Sequence, residues 1–182
     1  GRIVISDELK PETRAAIAAL KAEGLKTVML TGDAADSAEA VAREIGLDEV
    51  HAKLLPQDKL RILKETREKY GPVMFVGDGI NDAPVLAGAD VGAAMGSGAD
   101  AAIEAADVVF MTSRMDAVPE AITIGRVSTR ISRQNMVIAI AIKLIVILLG
   151  FLGLANMWAA VFADTGVAMI CILNSIRILY RE

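Results

Sequence analysis

Two apolar runs near the end of this 182-residue chain, 136–155 and 158–180, limit what it can fold into more than any other feature. The first, MVIAIAIKLIVILLGFLGLA, holds one charge in twenty residues; the second, WAAVFADTGVAMICILNSIRILY, holds one acid ahead of Arg177. At a helical rise of ~1.5 Å per residue, each is long enough to cross ~30 Å of hydrocarbon. Only Asn156 and Met157 separate them, which predicts a tight transmembrane hairpin with Trp158 at an interfacial level. Arg126, Arg130 and Arg133 precede the first span, Arg177 and Arg181 close the second, and the turn has no base. Both ends of this segment are therefore expected on the cytoplasmic side of a cell (plasma or inner) membrane, in a multi-pass arrangement. No proline follows Pro119 up to Ala155, so a basic stalk at 114–135 can continue into the first span as one helix.

The remainder has the opposite character. Residues 1–133 carry 16 of the 19 Lys and Arg and 21 of the 23 acids, a net charge of −5 against +1 for the tail. An acidic soluble part leaves no broad nucleic-acid footprint. A single cysteine, Cys171, excludes an internal disulfide framework or a CxxC knuckle; it reads as a small packed thiol, and His51 as a surface residue near a strand end. Between residues 2 and 111, short β-branched runs alternate with helical stretches. Strands are expected at 3–5, 26–30, 50–52, 73–76, 91–94 and 108–111, with helices at 10–24, 35–46, 56–69, after Asp82, and at 100–106. Such alternation predicts an α/β unit with a parallel sheet, here assigned to residues 1–113.

In open α/β sheets, ligands gather at the carboxyl ends of strands, where amide groups and helix N-termini point outward. Two polar turns fall there. Thr31-Gly32-Asp33 follows KTVML, and Gly77-Asp78-Gly79-Ile80-Asn81-Asp82 follows VMFV. Asp78 and Asp82 offer hard carboxylate oxygens of the kind that suit Mg²⁺. The Thr31 hydroxyl and the amides of Gly32 and Asp33 suit a phosphoryl oxygen. Lys59 lies in the first turn of its helix, where the macrodipole disfavours a cation, so a phosphoryl group between the two turns would give it a use. Taken singly, TGD reads as a turn and cap, GDGIND as a turn with an Asp cap, and Gly96-Ser97-Gly98 as a flexible connection. Their order and spacing change that reading.

The runs TGD, LLPQDK and GDGINDAPVLAGADVGAAMGSGADAAIEAADVV resemble the second half of the phosphorylation domain of P-type cation-transporting ATPases, whose fold is haloacid-dehalogenase-like (Rossmann-like). The resemblance covers residues 5–111. It implies that Thr31, Lys59, Asp78, Asn81 and Asp82 carry phosphate and Mg²⁺ roles. Asp33 would be nucleotide-proximal or structural, with Gly32, Gly77 and Gly79 lining the same turns. ATP would be bound mainly by other parts of such an enzyme. Absent from this sequence are the DKTGT nucleophile motif, a TGE turn, a nucleotide-binding insert and a CPC motif. In the family fold, the nucleophile's strand lies between those ending in TGD and GDGIND, so both flanks of the centre are present without the residue that is phosphorylated.

Lys143 and Asp164 are costly inside spans, by roughly 2.5–3.5 kcal/mol each on insertion scales, and each needs a reason. An ion pair between them, or a snorkelling lysine, would be structural. Counted from Asn156 and Met157, Lys143 is about 13 residues away and Asp164 about 8, an offset of roughly 8 Å that a lysine stem can partly bridge. A lysine in the first span with Asp-x-Gly in the second resembles the zinc-, cadmium- and lead-exporting subgroup. That implies Asp164 as a ligand of the transported metal and Lys143 as its charge partner. The expected function is the C-terminal part of an ATP-driven divalent heavy-metal exporter, inactive alone. Its partners would be the lipid bilayer, the remaining domains and spans of the same transporter, and the metal ion. Two alternatives stay open: a membrane-anchored phosphatase of the same fold, and a non-catalytic remnant or interaction subunit.

Overall fold

The computed structural model describes residues 9–96, 99–154 and 156–180. The strand expected at 3–5, the Ser97-Gly98 pair, Ala155, Arg181 and Glu182 lie outside the described residues. The chain forms two compact units, Gly1–Pro119 and Glu120–Glu182.

In the first unit, helices and strands alternate: α1 (Thr13–Ala22), β1 (Val28–Leu30), α2 (Ala35–Ile45), β2 (Glu49–His51), α3 (Pro56–Tyr70), β3 (Met74–Gly77), α4 (Ala83–Gly88), β4 (Val91–Met95), α5 (Asp100–Ala105) and β5 (Val108–Phe110). A 3₁₀ turn, Ile80–Asp82, leads into α4. Each helix buries a narrow stripe: Ala16, Ile17 and Leu20 on α1, Ala38, Ala42 and Ile45 on α2, Ile62 and Leu63 on α3. Helix α2 stops where Gly46 takes φ +77 and the amides of Gly46 and Leu47 both donate to the Ala42 carbonyl. Pro56 opens α3, and the Asp58 carboxylate accepts from the Leu55 amide at 3.2 Å.

All strand pairs are parallel. The sequence predicts a sheet, and the structure divides it into two: β1 with β2, and β3-β4-β5. Met29 faces Val50 in the first; Phe75 faces Gly92 and Ala94 faces Val109 in the second. Among the described residues, β1 and β3 each have a strand partner on one side only. Strand β4 is built from small residues because α4 lies close against it. Ala93, Ala94, Val85 and Leu86 are fully buried, and a Cβ on Gly92 would sit 2.4 Å from the Leu86 carbonyl oxygen.

α6 (Ala117–Phe151) is a single helix of 35 residues. It ends earlier than the residue 155 expected from hydropathy, because Gly153 adopts φ +70 while the Leu154 amide returns to the Leu149 carbonyl at 2.9 Å. α6 thus stops at Phe151 and the next helix starts at Met157, a wider separation than the two residues expected. α7 (Met157–Val161) and α8 (Val167–Ile176) are joined by a π-helical turn, Phe162–Gly166, which contains Asp164; Arg177–Tyr180 forms a closing 3₁₀ turn. Two helical stretches, Ala117–Phe151 and Phe162–Leu179, are long and apolar enough to cross a membrane. Their large side chains, among them Leu144, Leu148 and Leu173, are mostly exposed, as hydrocarbon contact requires.

Candidate phosphate and metal sites

The two polar turns form at the carboxyl ends of β1 and β3 because each strand runs out into residues that favour turns. After β1, the Thr31 amide donates to the His51 carbonyl at 3.0 Å, continuing the ladder by one rung. The Thr31 hydroxyl donates to an Asp33 carboxylate oxygen at 2.7 Å and accepts from the Asp33 amide at 3.1 Å. Asp33 thus fixes the Thr31 hydroxyl in an ST-type turn. Gly32 is exposed, with the Leu54 carbonyl 3.4 Å from where its Cβ would lie.

After β3 the chain folds Asp82 back over the strand end. Gly77 makes this possible, since a Cβ there would approach both the Asp82 Cβ and the Phe75 ring at 3.0 Å. The Gly79 amide donates to Asp82 Oδ2 at 3.4 Å, a weak bond that leaves the carboxylate oriented rather than saturated. Asp78 and Asn81 are exposed on the same turn, and the Asp78 carbonyl accepts from the Ala99 amide at 3.0 Å.

α3 reaches the second turn through Lys59. Lys59 Nζ donates to Asp82 Oδ1 at 2.7 Å, with side chains only 16% and 13% exposed. The residues are 23 apart in sequence, and the contact joins the first turn of α3 to the GDGIND turn. A shielded, charge-assisted hydrogen bond of this length outweighs the unfavourable helix-end position of the lysine. It also neutralises one of two neighbouring carboxylates and leaves Asp78 open to solvent. That donor set, one exposed carboxylate beside a second held by a cation, fits Mg²⁺, which binds through one or two carboxylates and keeps water and phosphate as further ligands.

The scaffold behind the first turn is held by a group the sequence did not single out. Asp48 accepts from the Thr27 amide at 2.9 Å and the Thr27 hydroxyl at 2.8 Å, with Lys21 Nζ at 3.1 Å. These bonds, led by the Thr27 amide, hold its carboxyl down to about 2. Thr27, the buried polar residue beneath β1, thereby ties the starts of β1 and β2 together. On β2, Glu49 is drawn below the usual carboxylate range by Lys69 and then by the Tyr70 hydroxyl. His51, on the same strand, is partly exposed with Nε2 3.9 Å from Glu49.

Within the second unit, Lys143 Nζ lies 3.6 Å from Asp164 Oδ1. The earlier end of α6 explains how they meet. Lys143 is 8 residues before Phe151 and Asp164 is 7 after Met157, so the pair is nearly level and the offset expected from a turn at 156–157 disappears. Cys171 is partly buried, and its thiol donates to the Asn135 carbonyl at 3.7 Å, as a packed thiol would. Asn135 and Asn174 escaped notice in the sequence, although amides at the ends of apolar runs are a signal. Among the described residues, no three His, Cys, Asp or Glu side chains converge as a metal cluster.

Comparison with known proteins agrees with this layout. Residues 1–90 match the family of haloacid dehalogenase-like hydrolases, and residues 60–122 match a second family of the same description. A cadmium, zinc and cobalt-transporting ATPase of Bacillus subtilis is 47% identical over 98% of this chain and 26% of its own length. A zinc-transporting ATPase of Synechocystis is 52% identical over 98% of this chain and 25% of its own. The crystal structure of a zinc-transporting PIB-type ATPase in the E2.Pi state superposes with a TM-score of 0.90 at 40% identity, over 95% of this chain and 28% of that one. The chain therefore belongs to the haloacid dehalogenase-like family and, within it, to the heavy-metal P-type ATPases, of whose length it spans about a quarter.

Proposed function

We propose that the chain is the C-terminal part of an ATP-driven exporter of divalent heavy metals such as zinc, cadmium or lead, working through an aspartyl phosphate formed on another segment. The observation that carries this reading is the 3.6 Å approach of Lys143 to Asp164, two ionisable groups on helices apolar enough to span a bilayer. Intramembrane charges are retained where they serve an ion path. The relatives at 47% and 52% identity transport cadmium, zinc and cobalt, or zinc.

In this reading, Asp164 is a ligand of the transported metal. Lys143 takes the carboxylate when the metal leaves, which opposes rebinding. In the first unit, Asp78 and Asp82 would hold Mg²⁺, which would supply positive charge to the transferred phosphoryl group. Lys59 lies against Asp82 and keeps the second carboxylate in place. Its ammonium adds a further positive charge toward the phosphoryl position. Thr31 serves that position by turning its hydroxyl hydrogen from Asp33 to a phosphoryl oxygen, and Asp33 is the resting partner that keeps the hydroxyl oriented. Gly32, Gly77 and Gly79 let the backbone approach, and Asn81 offers an exposed amide on the same turn. A strand bearing the phosphorylated aspartate between β1 and β3 would join the two sheets. The segment would lie in a cell membrane with both ends cytoplasmic.

The test is made in the complete transporter. Asp164→Asn should lose metal-stimulated ATP hydrolysis and stoichiometric Zn²⁺ binding, whereas Lys143→Ala should keep binding and alter release. Wild-type Zn²⁺ binding and turnover in Asp164→Asn would leave the residue a structural one and overturn the reading.

A further inference from the structure

At the end of the helical pair remote from the turn, five polar groups close a continuous network between α6 and α8. The Asn135 side-chain amide nitrogen donates to the Cys171 carbonyl at 3.1 Å and to the Ser175 hydroxyl oxygen at 2.9 Å. The Asn135 side-chain oxygen accepts from the Asn174 amide at 2.8 Å, and the Asn174 oxygen accepts from Arg177 at 3.0 Å. The Ser175 hydroxyl donates to the Cys171 carbonyl at 2.9 Å, and the Cys171 thiol returns a bond to the Asn135 backbone carbonyl at 3.7 Å. Asn135 therefore uses both amide hydrogens and its oxygen on α8. Only one orientation of the amide satisfies all of them, since its oxygen would repel the Cys171 carbonyl if exchanged with the nitrogen.

Apolar packing between spans slides easily, because lipid tails compete equally well for each side chain. A multidentate amide does not, since a shift by one residue breaks its three side-chain bonds to α8 together. The network and the Lys143–Asp164 pair also share one antiparallel register. Lys143 lies eight residues beyond Asn135 on α6, while Asp164 lies seven before Cys171 and ten before Asn174 on the returning chain. We propose that Asn135 is a positioning residue that fixes the register of α6 on α8 and thereby keeps Lys143 opposite Asp164. The transport role of that pair is taken from the reading above; the register is independent of it.

The test uses the full chain in lipid nanodiscs and disulfide formation between α6 and α8. An in-register reporter is Ile142→Cys with Val167→Cys and Cys171→Ser. A reporter displaced by one helical turn is Ile142→Cys with the native Cys171. Asn135→Leu should slow cross-linking of the first by roughly tenfold, the loss expected for several interhelical hydrogen bonds, and raise that of the second. Asn135→Gln, which keeps the amide, should recover much of the first. General loss of the hairpin would lower both reporters together, so opposite changes mark a register role. If Asn135→Leu does not insert, Asn174→Ala decides: a smaller drop in the first reporter supports the proposal. Unchanged rates in both variants, or a parallel fall in both reporters, overturn it. Zn²⁺ binding to Asp164→Asn transporter is scored separately, so a register set by Asn135 would stand even if Asp164 bound no metal.

Discussion

At the scale of single residues, the chain's chemistry depends on which charges have partners. Asp48 gives a direct test. Its carboxyl, ordinarily near 3.8, is held down to about 2 by the Thr27 amide and hydroxyl and by Lys21. A depressed folded-state value stabilises the fold fully above the unfolded value, and the effect is lost as pH falls through about 2. Acidification from pH 4 to 2 should therefore loosen the start of β1, seen as faster exchange of the Thr27 amide, and Asp48→Asn should show fast exchange already at pH 7 with little further change. Equal exchange in both proteins at pH 7 would rule out this tie. Much of the candidate site was legible, because Thr31, Asp78 and Asp82 follow strand-like runs and Lys59 sits at a helix start where a cation is out of place. The Lys59–Asp82 bond was not legible, since it spans 23 residues and depends on how α3 meets the turn after β3. Thr27 and Asp48 were missed for the same reason: each looks like an ordinary residue flanking a strand until the pairing of β1 with β2 brings them together.

Among the elements, β4 and α4 are the most tightly joined. A methyl at Gly92 would stand 2.4 Å from the Leu86 carbonyl oxygen and 2.9 Å from its carbon, and backbone cannot swing away. At Gly88, the nearest atom to an added Cβ is the Leu60 Cδ1 at 2.6 Å, the end of a flexible side chain. Gly92→Ala should destabilise the soluble unit by roughly 1–3 kcal/mol, and Gly88→Ala by clearly less, in denaturant titrations. Equal costs would show that α4 shifts as a body. The alternation of strands and helices was readable from periodicity, and the helix boundaries moved by only a few residues. The end of α6 was misjudged because hydropathy carries no backbone information. GFLG is apolar enough to continue a span, yet Gly153 can adopt the left-handed conformation that stops it. The π-helical turn at Phe162–Gly166 has no hydropathy signature either. A Cβ on Gly166 would meet the Phe162 ring at 2.6 Å, so this glycine lets the ring lie over the turn that carries Asp164.

For the whole molecule, the chain carries two polar turns at strand ends and a candidate membrane hairpin while covering about a quarter of its relatives. Incubated alone with labelled ATP and Mg²⁺, it should take up no label, because no DKTGT nucleophile occurs in its sequence. An acid-stable, hydroxylamine-sensitive label on any of its aspartates would contradict this. The division of the sheet has a separate effect on handling. β1 and β3 each present, among the described residues, one edge of backbone donors and acceptors without a strand partner. Such edges are templates for pairing with other chains, and native proteins protect them with charge, proline or a covering segment. Along β1 the row reads Val28-Met29-Leu30, half-buried and without charge or proline. Preparations of the chain by itself are expected to associate through such an edge in a concentration-dependent way.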